Sequence, residues 1–473
     1  MYKLLLCWRY LLTRYLALAC IISVMLGVAT LIVVNSVMSG FSTKLRDRLH
    51  GLLSDVVIEA NSLEGFSGPA EKMAKIRSVP YLNERIQAMS ATMEVFAMLQ
   101  FRYPNGERVT RMVKLIGIDP KSRDQVGGFK EHLVYQKKNA EASFAIPQDV
   151  KEKYENDHLR LIWKARAEQR EVRDEEGRPP PEPTPLRVTV PCGVIVGNLL
   201  ASYREKDPDD PAGNIITRYL LTKGQEVILT TVGGQKLAPV YDNFVVVDYF
   251  ESEMSEYDSQ YVFVPLDYLQ RLRAMPDRVS SIQIKLKNYQ DAKDVVETLK
   301  MLFPFEGLSM ATWEQKQGPL LHAIAIEKGI LNVLLFLIIG VAGFGILAIF
   351  TMIVAEKTRD IGILKALGAS NWGVLKIFVT YGLLLGVVGA WLGTLLGVSL
   401  TNNINKVENF LSRLTGSHIF DPGVYYFNEI PTDIQVWMVV GVNLGAVGIA
   451  VLFSVLPALR AALLHPVRAL RYE

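Results

Sequence analysis

The densest run of side chains suited to recognition chemistry is Glu356-Lys357-Thr358-Arg359-Asp360-Ile361-Gly362-Ile363-Leu364-Lys365-Ala366-Leu367-Gly368-Ala369. Its residue types suit docking rather than bond making. Ile361, Leu364 and Leu367 recur at helical spacing, with Glu356, Lys357, Arg359, Asp360 and Lys365 around them. Gly362 lies within the run and Gly368 stands where a helix would stop. A solvated turn between two helices needs no apolar stripe. A short amphipathic helix rimmed with charge is what docking into a partner's groove requires. Elsewhere the sequence lacks G-x-x-x-x-G-K-[ST], H-E-x-x-H, paired C-x-x-C and G-x-S-x-G, so no ATP hydrolysis or other catalysis is expected of this chain. Cys7, Cys20 and Cys192 make no disulfide framework, and six scattered histidines make no metal-ligand pattern. The net charge of +3, from 51 basic and 48 acidic residues, is too balanced for a nucleic-acid binder.

The elements that must position this run are apolar. Half of the 473 residues are hydrophobic and 21% are charged. The uncharged stretches Tyr15–Thr43, Gly329–Ala355, Ile377–Asn405 and Ile434–Leu459 each exceed the roughly 20 residues that cross a bilayer. They predict transmembrane helices over 15–43, 329–355, 374–402 and 434–459. The first is too long for the 7–15-residue core of a signal peptide and reads as a retained helix containing Cys20. Lys3, Arg9 and Arg14, then Lys357, Arg359, Lys365 and Lys376, then Arg460, Arg468 and Arg471 flank the spans on one side. By the positive-inside rule that side is cytoplasmic. The expected order is a cytoplasmic amphipathic segment (1–14), the first span, an extracytoplasmic domain (44–328), the second span, a cytoplasmic coupling helix (356–373), the third span, an extracytoplasmic loop (403–433), the fourth span and a cytoplasmic tail (460–473).

Within 44–328, short β-branched runs predict strands at Val56–Ile58, Ile86–Phe101, Arg108–Ile118, Val188–Val196, Glu226–Thr231, Phe244–Tyr249, Tyr261–Val264 and Ser281–Leu286. The last alternates as a half-buried strand does. Helical patterns lie near Pro69–Arg77, Pro265–Arg273 and Gln290–Leu302. The fold class expected is therefore an α-helical integral membrane protein with four transmembrane helices plus a large mixed α+β extracytoplasmic domain of two packed subdomains. Residues 137–185 differ: a charged helix with Leu159, Ile162 and Trp163 as a sparse apolar edge, then a proline-rich run from Arg178 to Pro185. This insertion reads as solvated, with a partner-docking arm as the alternative. In the spans, Gly382, Gly386, Gly389, Gly393 and Gly397, with Gly340, Gly343, Gly345, Gly441, Gly445 and Gly448, offer close helix approach. Asn35 and Asn443 suit helix–helix hydrogen bonds.

Glu356–Ser370 resembles the coupling region of FtsX-type ABC transporter permeases. The chain end, Pro457–Ala462 and Pro466–Glu473, resembles their P-x-x-x-A-A…P-x-x-A-L-R-Y-E ending. Asn35–Phe41, Thr312–Glu314 with Ala325–Lys328, and Gly117–Pro120 also match, most closely the lipoprotein-releasing LolC/LolE type with its MacB-like extracytoplasmic domain. The resemblance implies a permease in the cytoplasmic (inner) membrane that binds no cofactor itself. It implies a separate cytoplasmic ABC ATPase holding ATP and Mg2+, a second permease copy, acylated lipoprotein cargo, membrane lipid and a periplasmic lipoprotein carrier as partners. It also implies mechanotransmission in place of a solute pore, with acyl chains lifted between the first two spans; Met25, Leu26, Val33, Val37, Leu334, Ile338 and Phe344 are the candidate contacts. The 137–185 insertion is extra to the family pattern. Thr231–Val240, where a carrier-capturing loop would lie, has no clear match to it. The alternatives are a MacB-like efflux or cell-wall-hydrolase-regulating permease, and a membrane-anchored sensor or scaffold.

Overall fold

The computed structural model describes residues 15–465 apart from 63, 104–105, 171–189, 207–214, 235–237, 305 and 416–428. The N-terminal segment 1–14, the proline-rich run and the last residues of the chain-end motif lie outside the described residues. The chain divides into two compact units, Met1–Arg46 with Pro319–Glu473, and Asp47–Gly318.

Among the described residues, the first unit holds four helices long and apolar enough to cross a membrane. The helices run over Tyr15–Leu52, Gly318–Glu356, Asn371–Asn402 and Val436–Leu463, and are called here the first to fourth spans. The first two, of 38 and 39 residues, are roughly 57 Å long at a rise of 1.5 Å per residue. They outrun the uncharged stretches because charge marks the edge of the hydrocarbon, while a helix continues as long as its backbone bonds are favourable.

With no water between helices, close backbone approach supplies the packing. The glycines of the third span divide this task between two neighbours. A Cβ at Gly382 would stand 2.4 Å from Ser454 Oγ, and one at Gly386 2.8 Å from Ala450 Cβ, both on the fourth span. A Cβ at Gly389 would meet Val24 at 2.8 Å, and one at Gly393 would meet Met25 O and Val28 at 2.7 Å. Gly397 lies against Ala29 and Ile32, so these three face the first span. The interior they close includes Cys20, Val28, Ile32, Phe350, Tyr381 and Leu385. Asn443 donates from Nδ2 to Thr394 Oγ1 at 2.8 Å, bridging the fourth and third spans as its type suggests. Asn35 does otherwise: its amide donates to Leu31 O in its own helix at 3.1 Å.

The second unit is built on a nine-stranded sheet. Its strands, with four short ones outside that sheet, are β1 (Val56–Ala60), β2 (Phe66–Ser67), β3 (Ile86–Arg102), β4 (Arg108–Ile118), β5 (Cys192–Gly197), β6 (Ser202–Lys206), β7 (Ile215–Tyr219), β8 (Glu226–Val232), β9 (Pro239–Phe250), β10 (Tyr261–Pro265), β11 (Arg278–Val279), β12 (Ser281–Leu286) and β13 (Leu308–Thr312). The order is β13-β1-β12-β3-β4-β10-β5-β9-β8, and β8 also pairs with β3. That extra pairing closes β3, β4, β10, β5, β9 and β8 into a ring. The ring encloses Leu99, Leu115, Val194, Leu229, Val246 and Val262. A second core lies on the β1, β12 and β13 side, where Ile58, Ile284 and Met310 pack on Val295 and Leu299 of the helix Ala292–Leu302. The two cores lie within one compact mixed α+β unit. β3, 17 residues long, serves both: β12 pairs with its first part and β4 and β8 with its second.

Two expectations change. β12 is not half-buried: Ser281 and Gln283 are buried along with Ile282 and Ile284, because the strand is internal to the sheet and the helix Pro120–Gly127 lies over its second face. The 137–185 insertion is not wholly solvated. Its helix, described over Gln148–Arg170, buries Val150 and Tyr154 against Val245. Leu159, expected on its apolar edge, is exposed. A Cβ on Gly193 would sit 2.1 Å from Phe144 O, so the chain leading to this helix lies directly on β5.

Buried carboxylates fix the loops of this unit. Asp55 Oδ1 accepts from His50 Nε2 at 2.8 Å and Lys285 Nζ at 3.2 Å, and its Oδ2 from Leu286 N at 2.7 Å. Asp248 accepts from the backbone N–H groups of Tyr135, Gln136 and Tyr249, and burial still raises its pKa. Asp258 accepts from Ser252 N and Oγ through Oδ1. Burial pushes this carboxyl up to about 7.

A Gly393→Val change forces a Cβ into the first span, and overpacking of this kind costs ~1–3 kcal/mol. A clear loss of thermal stability of the full chain in detergent is expected, with little change for Gly448→Val, whose added carbon meets nothing within 4 Å. Asp258 supplies a pH test. Its carboxyl ionises near 3.8 when unfolded and near 7 when folded, so the folded state holds the extra proton between those values. Its contribution to stability falls as pH rises through that window and is flat above it. Unfolding midpoints of the full chain from pH 5 to 8 should show this decline, and Asp258→Asn should flatten part of it.

Candidate functional site

The run Glu356–Ala369 forms a helix over Thr358–Ala366, set off from the second span by a break at Lys357. Gly368, at φ +93°, ends it, where an L side chain would be strained. Ser370 then caps the third span, its Oγ accepting from Gly373 N at 3.1 Å. Both ends of the helix are thus set by local sequence.

Tertiary packing selects which apolar face turns inward. Ile361 is 2% exposed and packs with Val354, Val374 and Ala461, one residue from each of the second, third and fourth spans. It was expected on the docking face and instead anchors the helix. Gly362 is buried beside it, and Leu364 is half-buried. Lys365 makes a second anchor: its Nζ donates to Ala462 O at 2.5 Å and Leu464 O at 2.7 Å. Those carbonyls lie at the C-terminal end of the fourth span, where the helix leaves acceptors unsatisfied and a cation is favoured.

The free face is different from the stripe read in the sequence. Ile363 is 45% and Leu367 80% exposed. They stand four residues apart, in line with the exposed Arg359, so they share one side of the helix. Lys357 and Asp360, 2.5 Å apart, lie at its start. Glu356 is exposed at the end of the second span. The surface is a small apolar ridge with charge at its N-terminal end, borne on a helix held from behind. The spacing read in the sequence picks Leu364 and passes over Ile363. The helical period groups positions 359, 363 and 367 as readily as 361 and 364.

The candidate acyl contacts differ in exposure. Leu26, Leu334, Ile338 and Phe344 are exposed on the outer faces of the first two spans. Met25, Val33 and Val37 are half-buried. Phe344 stacks edge-on with Phe453 of the fourth span, with centroids 5.0 Å apart. The stretch Thr231–Val240 is a tight connection between β8 and β9, with Gly233 N donating to Ala238 O at 2.9 Å and residues 235–237 outside the described set.

Residues 332–466, which include the loop helix and the last two spans, match the FtsX-like permease C-terminal family. The lipoprotein-releasing system transmembrane protein LolC of Xylella fastidiosa is 26% identical over 463 residues, covering 97% of this chain and 94% of that protein. The LolE protein of Haemophilus influenzae is 25% identical over 452 residues, covering 95% and 92%. LolC of the same organism is 30% identical over 281 residues, covering 59% and 64%. The solved periplasmic region of MacB from Actinobacillus actinomycetemcomitans covers 59% of this chain and 97% of its own at 10% identity, with a TM-score of 0.26, too loose a likeness to bear on the fold. Residues 332–466 are thus similar to the C-terminal domain of FtsX-like permeases, and the chain is similar to the LolC and LolE proteins over nearly its whole length.

Proposed function

We propose that this chain is the membrane subunit of an ABC transporter that releases lipoproteins from the cytoplasmic membrane, with both termini in the cytoplasm. A separate ATPase, which itself holds ATP and Mg2+, docks on the helix Thr358–Ala366 through Ile363 and Leu367. Its closure displaces that helix, and the displacement passes to the spans and the α+β unit. A second permease copy completes the complex, and a periplasmic carrier receives the acylated cargo.

The observation that carries this reading is the division of labour on the loop helix. Ile361 and Lys365 tie it to all three surrounding spans, while Ile363 and Leu367 are left exposed. A linker between two membrane helices needs neither feature. A lever needs both: a rigid attachment behind and a free contact in front. The relatives named for lipoprotein release supply the cargo class.

Two substitutions separate docking from transmission. Leu367→Asp places a charge on the free face, and losing a central apolar anchor costs ~2 kcal/mol or more in an interface. Co-purification of the ATPase with the tagged permease should drop sharply, with the permease still monodisperse. Wild-type retention of the ATPase would reject the docking site. Lys365→Met keeps the aliphatic stem and removes the bond to the fourth span. ATPase binding should persist, while cargo-dependent changes in ATP hydrolysis are reduced; unchanged coupling would show that the Lys365 bond transmits nothing.

A further inference from the structure

A cavity of about 530 Å3 opens between the first, second and fourth spans. That volume falls within the roughly 300–1,000 Å3 of small-molecule sites. Its lining changes character along its length. Asn35, Lys328 and Gln435 stand at one end, and Phe336, Gly441 and Gly445 continue toward the other. From Lys328 to Ile339, both in the lining, the second span rises roughly 16 Å, about the depth of one leaflet. The cavity is thus polar at a membrane surface and apolar beneath it.

Three features narrow the occupant. Gly441 and Gly445, read from the sequence as packing glycines, approach no neighbour: a Cβ at either meets nothing within 4 Å. They keep a wall of the cavity thin. Trp437 is 87% exposed beside the polar end, where an indole marks the headgroup level of a bilayer. Lys328 is half-buried there and pairs with no carboxylate among the described residues. None of the seven candidate acyl contacts lines this space.

We infer that this cavity is a binding site for an anionic glycerophospholipid, with its phosphate at Lys328 and one acyl chain lying between Phe336 and the Gly441–Gly445 wall. The cation at Lys328 selects against the lipid-modified cysteine of a lipoprotein, which carries no phosphate. The site is therefore separate from the cargo path, and it does not depend on how the ATPase is coupled.

The test uses the full chain, purified in detergent and stripped of lipid, with dioleoylphosphatidylglycerol, dioleoylphosphatidylcholine or inorganic phosphate added. Bound lipid is counted by native mass spectrometry and stabilisation is read by thermal unfolding. Wild-type protein should retain one phosphatidylglycerol in preference to phosphatidylcholine and should not respond to phosphate alone. Lys328→Gln should weaken phosphatidylglycerol binding about fivefold, the effect of one basic residue near a charged lipid, and erase the preference. Gly441→Leu fills open space, so it should fold normally and lose both lipids. Equal retention by wild type and both variants would identify ordinary boundary lipid and overturn the assignment. So would displacement of the bound phospholipid by a stoichiometric triacylated lipopeptide, which would make the cavity part of the cargo path.

Discussion

The membrane unit depends on one constraint: the third span must bring its backbone against two neighbours at once. Lipid tails are as apolar as leucine, so there is no hydrophobic gain in bringing helices together and contact area must provide it. Gly389, Gly393 and Gly397 give that contact to the first span, and Gly382 and Gly386 give it to the fourth. The two sets are consecutive along one helix, so the third span is the axis on which the other two are mounted. The Thr394–Asn443 hydrogen bond, one residue past Gly393, ties the fourth span to the third beyond the Gly382 and Gly386 contacts.

The loop helix inherits its position from that arrangement. The third span begins at Asn371, just beyond the helix, and the fourth ends at Leu463, where Lys365 takes its carbonyls. Ile361 lies in the angle between them. The second span is joined to the helix directly through Lys357. The helix is therefore attached to three spans by direct contacts. The first span is linked to this arrangement through the glycine contacts of the third.

Much of this was legible in the sequence, for identifiable reasons. Uncharged runs longer than a bilayer located the four spans, since burial of charge in lipid is costly over the whole length of a helix. Alternation and β-branching located β4 and β12 to the residue. β13, Leu308–Thr312, was missed because Leu-Ser-Met-Ala-Thr has too few β-branched residues to stand out. The β3–β8 closure was invisible, since pairing between residues as distant as Leu99 and Leu229 leaves no mark in either segment. The insertion misled for another reason. Val150 and Tyr154 are only two apolar residues on a charged helix, and their burial depends on Val245, far away in the chain.

The glycines show most clearly where sequence stops and packing begins. Those of the third and fourth spans look alike in the sequence, small residues at helical spacing. On the third span Gly382, Gly386, Gly389 and Gly393 stand where a Cβ would come closer than 3.0 Å to a neighbouring helix, and Gly397 where it would come within 3.1 Å. On the fourth, Gly441, Gly445 and Gly448 face open space. A glycine in a membrane helix loses stability relative to alanine unless the missing side chain is used. On the third span the use is a helix. On the fourth, Gly441 and Gly445 line the cavity, and the cation at Lys328 with the apolar wall below it defines the chemistry of the occupant proposed for it.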